Sequence, residues 1–178
     1  MLAEPWPCRS VVAVAALLVA LLAACNPALN WRDVRPADSG LLLQFPCKPD
    51  SQARPLSLAG QPVRLSLLAC PASTLTFGLA HADVGEPARV DAALKALTDS
   101  ALANLAAAPA AAQPSAVAGA SAPGSRLRLQ GRLPDGASVQ MQLLVFARGT
   151  RVFQASVLGA QVPEEAAQIY FESLRLAP

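Results

Sequence analysis

Alternation of apolar and polar positions dominates the first third of the chain. In LLLQF, residues 41–45, Leu41, Leu43 and Phe45 fall on one side; VRLSLLA repeats the period with Val63, Leu65 and Leu67, and LTFGLAH with Leu75, Phe77, Leu79 and His81. A period of two sends alternate side chains to one face, so three strands are predicted, each with one apolar side. Pro55 and Pro62 bring no N–H to a ladder and confine their strands to edges or strand ends. From Glu86-Pro87 onward the period lengthens. Val90, Leu94, Leu97, Ala101 and Leu105 recur at helical spacing, with Asp91, Lys95 and Asp99 opposite, which predicts an amphipathic helix lying on a sheet.

Residues 106–124, AAAPAAAQPSAVAGASAPG, are rich in Ala, Pro, Gly and Ser and carry no charge, so they read as a flexible loop. The strongest local signal follows in LPDGA. Pro134 and Asp135 suit a type I turn and Gly136 the left-handed position that closes a three-residue hairpin loop. That loop sets Leu133 opposite Ala137, then Gly131, Leu129 and Leu127 opposite Val139, Met141 and Leu143 on an apolar face. Arg132, Gln130 and Arg128 meet Ser138, Gln140 and Gln142 on the other. The next turn, near Gly149-Thr150, is compatible with two registers, and RVFQASVLG supplies another strand. VPEEAAQIYFESLRL opens with Pro163 and two glutamates, as a helix start should, and directs Ile169, Tyr170 and Leu174 inward. The predicted fold is α+β: an antiparallel sheet of about six strands with helices packed on it.

Residues 11–25 form a fifteen-residue apolar run, short of the roughly 20 that span a bilayer as a helix. Arg9 before it and Ala23 and Ala24 at its end give it the layout of a secretory signal. The four residues Leu22-Ala23-Ala24-Cys25 resemble the lipobox of bacterial lipoproteins. That resemblance implies thioether diacylation of Cys25, cleavage between Ala24 and Cys25, and acylation of the new amino group. Only a thiol side chain gives the thioether, and small residues before it fit a narrow peptidase site. Several acyl chains, at about 0.8 kcal/mol per buried CH₂, make a stable anchor. Asn26, rather than Asp, follows the cysteine, which among Gram-negative lipoproteins favours the outer membrane over the inner. The expected organisation is a signal peptide over 1–24, a tether over 25–39, and one domain over 40–178, held in the cell envelope and facing the periplasm.

A formal net charge of +2, which loss of Glu4 and Arg9 with the signal leaves unchanged, argues against nucleic acid as a partner. Of the four cysteines, Cys8 leaves with the signal and Cys25 is lipidated, so Cys47 and Cys70 remain in an oxidising compartment. A hairpin folded near Ala59 and Gly60 brings Cys70 opposite the segment just after FPC, and a disulfide is expected there. A redox or metal pair is the alternative, but there is no CxxC spacing and no second ligand cluster.

The order of elements, with LLLQFP near the start, RLQG in the middle and YFESLRL at the end, resembles the PsbP-like α/β/α sandwich over about residues 38–177. This family includes an extrinsic subunit of photosystem II, a Ran-binding nuclear import factor and many bacterial secreted or lipid-anchored domains. The resemblance implies binding to, or assembly of, larger complexes and brings no catalytic residues. The Ala-rich stretch and the cysteine pair depart from the family's general pattern.

His81 is the one histidine, and its register places it at the end of an apolar row, which suits a core or rim residue. GASAPG has Pro123 where a nucleophile elbow needs its second Gly, and there is no Walker loop, dinucleotide fingerprint or metal spacing, so neither catalytic residues nor a cofactor is expected. Arg126, Arg128 and Arg132 share one strand face and Arg148 and Arg151 flank the next turn, a candidate anion-binding face. Helices laid over it would bring carboxylates to some of these arginines, for instance from Glu164, Glu165 or Glu172. The expected function is a non-catalytic accessory or assembly factor that binds an envelope protein or an anionic glycolipid. The alternatives are a carrier of a small or lipidic ligand, which needs an apolar cavity, and a hydrolase, which needs polar groups converging near His81.

Overall fold

Strand β1 (Arg32–Val34) lies antiparallel to β2 (Leu41–Phe45), with Arg32 opposite Phe45. In the computed structural model, which describes residues 29–108 and 110–177, the chain is therefore laid on the domain well before residue 40. The Asn30 N–H donates to the Pro46 carbonyl at 2.9 Å, and the Trp31 ring meets the edge of Phe77 at 5.5 Å. Of the segment expected as a tether, residues 25–28 lie outside the described residues, while 29–39 are held by this pairing and by Trp31. The segment expected as a signal peptide, with Ala24, and the expected lipidation residue Cys25 also lie outside them.

The remaining strands build one seven-stranded antiparallel sheet in the order β3-β4-β5-β9-β8-β7-β6. Its strands are β3 (Asp50–Leu58), β4 (Gln61–Ala72), β5 (Leu75–Asp83), β6 (Gln113–Ser115), β7 (Gly124–Arg132), β8 (Ser138–Arg148) and β9 (Arg151–Gly159). The β3–β4 turn has Ala59 and Gly60 at φ of 50° and 78°, the pair of left-handed residues that a two-residue hairpin matching strand twist requires. The β7–β8 pairing follows the expected register throughout, from Arg132 opposite Ser138 to Leu127 opposite Leu143. Leu133 closes the loop on Ala137, and Gly136 sits at φ 87°. At the β8–β9 turn, of the two registers the sequence allows, the chain adopts the one in which Arg148 pairs with Arg151 around Gly149 and Thr150.

Each face of the large sheet is covered. Helix α1 (Val90–Asn104) buries Ala93, Leu97 and Ala101 against Ala80, Ala82, Leu129, Leu143 and Val152, and exposes Asp91, Lys95 and Asp99. Its end approaches β7 so closely that a Cβ on Gly131 would overlap the Leu105 carbonyl, which accepts the Arg132 N–H. Helix α2 (Glu164–Glu172) covers the opposite face beside the small sheet β1-β2-β10, where β10 is Arg175–Leu176. Leu43, Phe45, Phe77, Phe146, Phe153 and Tyr170 pack there. The fold is thus α+β, with seven strands in the main sheet rather than about six.

Two local expectations change. Ile169 is 37% exposed rather than inward, because the buried stripe of α2 runs through Ala166, Ala167, Tyr170 and Phe171 and continues to Leu174, which leaves position 169 at its outer edge. Within the segment 106–124, β6 pairs with β7, Val117 is buried and Ala118 bridges to Arg175. A low-complexity composition does not prevent pairing where an open sheet edge supplies the partner. Cys47 and Cys70 form a disulfide with their Cα atoms 5.9 Å apart.

Candidate functional site

Even-numbered residues of β7, Arg126, Arg128 and Arg132 among them, share one face, and α2 crosses part of that face. Glu164, the first residue of α2, accepts from Arg126 Nη2 and Arg128 Nη2, each at 2.9 Å, and from Gln142 Nε2 at 3.0 Å. Gln142 stands opposite Arg128 in the ladder and also accepts from Arg126. The Arg126 guanidinium lies 5.0 Å from the centre of the Phe171 ring, a cation–π contact, and its Nε is buried without a partner. The Gln142 hydrogen bond, with the Arg126 and Arg128 charges behind it, holds the Glu164 carboxyl below the usual range. Its place at the helix start adds to this. Arg126 and Arg128 are therefore engaged within the fold.

Arg132 donates to the Gly136 carbonyl at 3.1 Å and braces its own turn. It stands opposite Ser138, and Arg148 lies ten residues further along β8, about 33 Å away at about 3.3 Å per residue. The five arginines thus do not form one surface. Their separation comes from the length of β8 and from the crossing point of α2, neither of which is visible in strand alternation.

Arg148 and Arg151 are different. They are directly opposite each other across a two-residue turn, an arrangement that is unfavourable for like charges. Among the described residues neither takes part in a salt bridge. With Ser39, Gly40, Leu176 and Ala177 they line a groove of about 180 Å³. Gly40, at φ 67°, adjoins Arg151: a Cβ there would be in ordinary van der Waals contact with Arg151 Nη1, at 3.7 Å. An adjoining groove of about 350 Å³ shares Gly40, Leu176 and Ala177 and adds Leu41 and Leu42, with Arg35 and Arg175 in its lining.

His81 lies near this end of the sheet. It is 6% exposed and stacked on Phe153 at 6.1 Å, with Asp38 and Arg151 close enough to influence it. Burial lowers its pKa, which Asp38 offsets in part and Arg151 reinforces. The neighbouring Asp83 is held below the ordinary carboxylate range by hydrogen bonds from the Thr150 side chain and the Gly85 N–H, and then by Arg151. A buried imidazole stacked on an aromatic ring is a packing element. The fold keeps it neutral, so its contribution to stability is fully present above pH 6.5, the unfolded value, and is lost as pH falls through the lower folded value. The thermal midpoint is therefore expected to fall between pH 7 and pH 5, and His81→Gln should flatten that slope. An unchanged slope in the variant would place the sensitivity elsewhere.

Among the described residues no helix is long and apolar enough to cross a membrane, and no cluster of three or more His, Cys, Asp and Glu side chains is placed to hold a metal ion. The sequence signal for the Arg148–Arg151 pair was present in RGTR, but only the register of the turn shows that the two side chains share a face. Comparison of the chain with family models and with curated proteins finds no match.

Proposed function

We propose that the protein is a lipid-anchored, non-catalytic accessory of the bacterial cell envelope, held through Cys25 and binding an anionic envelope component at the groove of Arg148 and Arg151. The observation that carries the binding site is this pair: two arginines set directly opposite each other across a tight turn, beside an open groove, with Asp83 opposite Arg151 in the next strand but no carboxylate in salt-bridge contact with either among the described residues. An anionic protein segment or a phosphate-bearing glycolipid relieves their repulsion. The PsbP-like sandwich is the family reading that fits the layers best, with helices on both faces of an antiparallel sheet. A periplasm-facing position, in the outer membrane, follows from the lipobox and Asn26. The carrier reading draws on one observation, the apolar groove between Arg35 and Arg175, which suits a lipid with an acidic head.

Crosslinking in the native envelope, followed by recovery of the protein with its bound component, tests the site. Arg148→Gln with Arg151→Gln is expected to reduce recovery at least tenfold and leave the thermal midpoint within a few degrees. Recovery by the wild type should fall steeply with salt, since exposed charges are screened beyond about 8 Å at 0.15 M. Arg126→Gln is the internal control: it removes the Glu164 and Phe171 contacts, so it should lower the midpoint and leave recovery intact. Unchanged recovery with the Arg148 and Arg151 pair removed would refute the site.

A further inference from the structure

We propose that the end of the domain opposite the arginine pair is a membrane-contact surface, seated on the lipid headgroups of the bilayer that holds the anchor. This rests on the reading of Cys25 as the acylated residue. A groove of about 380 Å³ opens there, lined on its apolar side by Leu29, Trp31, Leu75, Pro163, Ala166 and Ile169, with Ser73, Thr74 and Glu165 as its polar residues. Ile169 is the exposed large hydrophobic of the described residues, at 37%. Trp31 is half-buried, its ring edge-on to Phe77. An indole with one side packed and the other open is the side chain that favours the headgroup region.

The chain enters the domain at this groove. Leu29 is four residues from Cys25, a span of at most about 14 Å when fully extended. The Asn30 bond to Pro46 and the Trp31 contact with Phe77 hold the entry point to the domain, so the tether cannot lengthen without breaking them. A domain fixed this close to its acyl chains must present the surface around residue 29 to the bilayer, and the groove there is predominantly apolar. An interfacial contact of this kind buries apolar side chains about 5–10 Å into the boundary between headgroups and chains. The opposite end is then held away from the membrane. Leu75 and Asp83 mark the two ends of β5, about 26 Å apart at about 3.3 Å per residue, and the Arg148–Arg151 turn lies at the Asp83 end.

Trp31 is itself the probe, because Trp6, the other tryptophan, leaves with the signal. The processed, acylated protein is reconstituted into phosphatidylcholine vesicles whose lipids carry bromine at a shallow or a deep chain position. Trp31 emission is expected to fall to less than half in shallow-brominated lipid and less in deep-brominated lipid. Ile169→Asp should restore most of it while the protein still floats with the vesicles at an unchanged thermal midpoint. Equal emission in plain and brominated lipid, from protein that floats with the vesicles and carries diacylated Cys25, overturns the membrane contact and leaves the anchor standing. In that case protection from iodide would assign the groove to a second copy or to the protein's own acyl chain, and quenching by iodide would leave it open to water. Protein that fails to float and shows an unmodified Cys25 by mass overturns both, and is recognised by that mass.

Discussion

Tyr170→Ala is expected to lower the thermal midpoint by about 8–16 °C, from a loss of about 4 kcal/mol at about 2–4 °C per kcal/mol for a chain of this size. The side chain has no exposure and sits between the layers. Its ring lies 5.4 Å from Phe45 of the small sheet, 5.3 Å from Phe77 of the large sheet and 5.6 Å from Phe171 of its own helix. Alanine would leave a cavity bounded by three elements that cannot close on it together. The phenol donates to the Gly78 carbonyl at 2.8 Å, and burial pushes its pKa up, so it remains a donor throughout the ordinary pH range. Tyr170→Phe removes that bond alone and should cost about 1 kcal/mol, or about 2–4 °C. Calorimetry on the two variants separates the packing from the hydrogen bond. An alanine variant melting within about 3 °C of the wild type would mean that the small sheet and α2 are held to the main sheet by something other than this cluster.

What the sequence made legible was local. LPDGA determined a complete strand register because turn chemistry and alternation act over neighbouring residues, and the structure follows it pair by pair. The face of α1 was legible for the same reason, and the hairpin at Ala59 and Gly60 brought the two cysteines within bonding reach. What stayed hidden depends on tertiary placement. Whether Arg126 or Arg148 meets a carboxylate is decided by where α2 crosses β7, and strand alternation carries no record of that crossing. The edge strand β6 lies in a segment whose composition resembles a linker, and it forms because β7 offers an open edge. Trp31 had no periodic context, so its role as the packed entry point was visible only once Phe77 stood beneath it. The arginine groove and the Trp31 groove have the same origin: each is lined by residues distant in sequence, Gly40 with Arg151 at one end and Trp31 with Ile169 at the other.

Cys25→Ser has the largest expected effect, since it removes the one atom on which the proposed anchorage depends. A serine oxygen does not form the thioether, and the cleavage that the proposed lipobox implies follows diacylation, so the variant should accumulate as uncleaved precursor in the inner membrane. Tyr170 variants change the melting of the domain; this one changes where the protein resides. The described domain begins at residue 29 and is expected to fold unchanged in the precursor. The most direct measurement is the mass of the amino-terminal peptide of the wild-type protein extracted from the envelope. The predicted result is a chain beginning at Cys25, with a diacylglyceryl thioether on its sulfur and an acyl group on its amino nitrogen. A mature chain beginning at another residue, or beginning at Cys25 with an unmodified thiol, would contradict it.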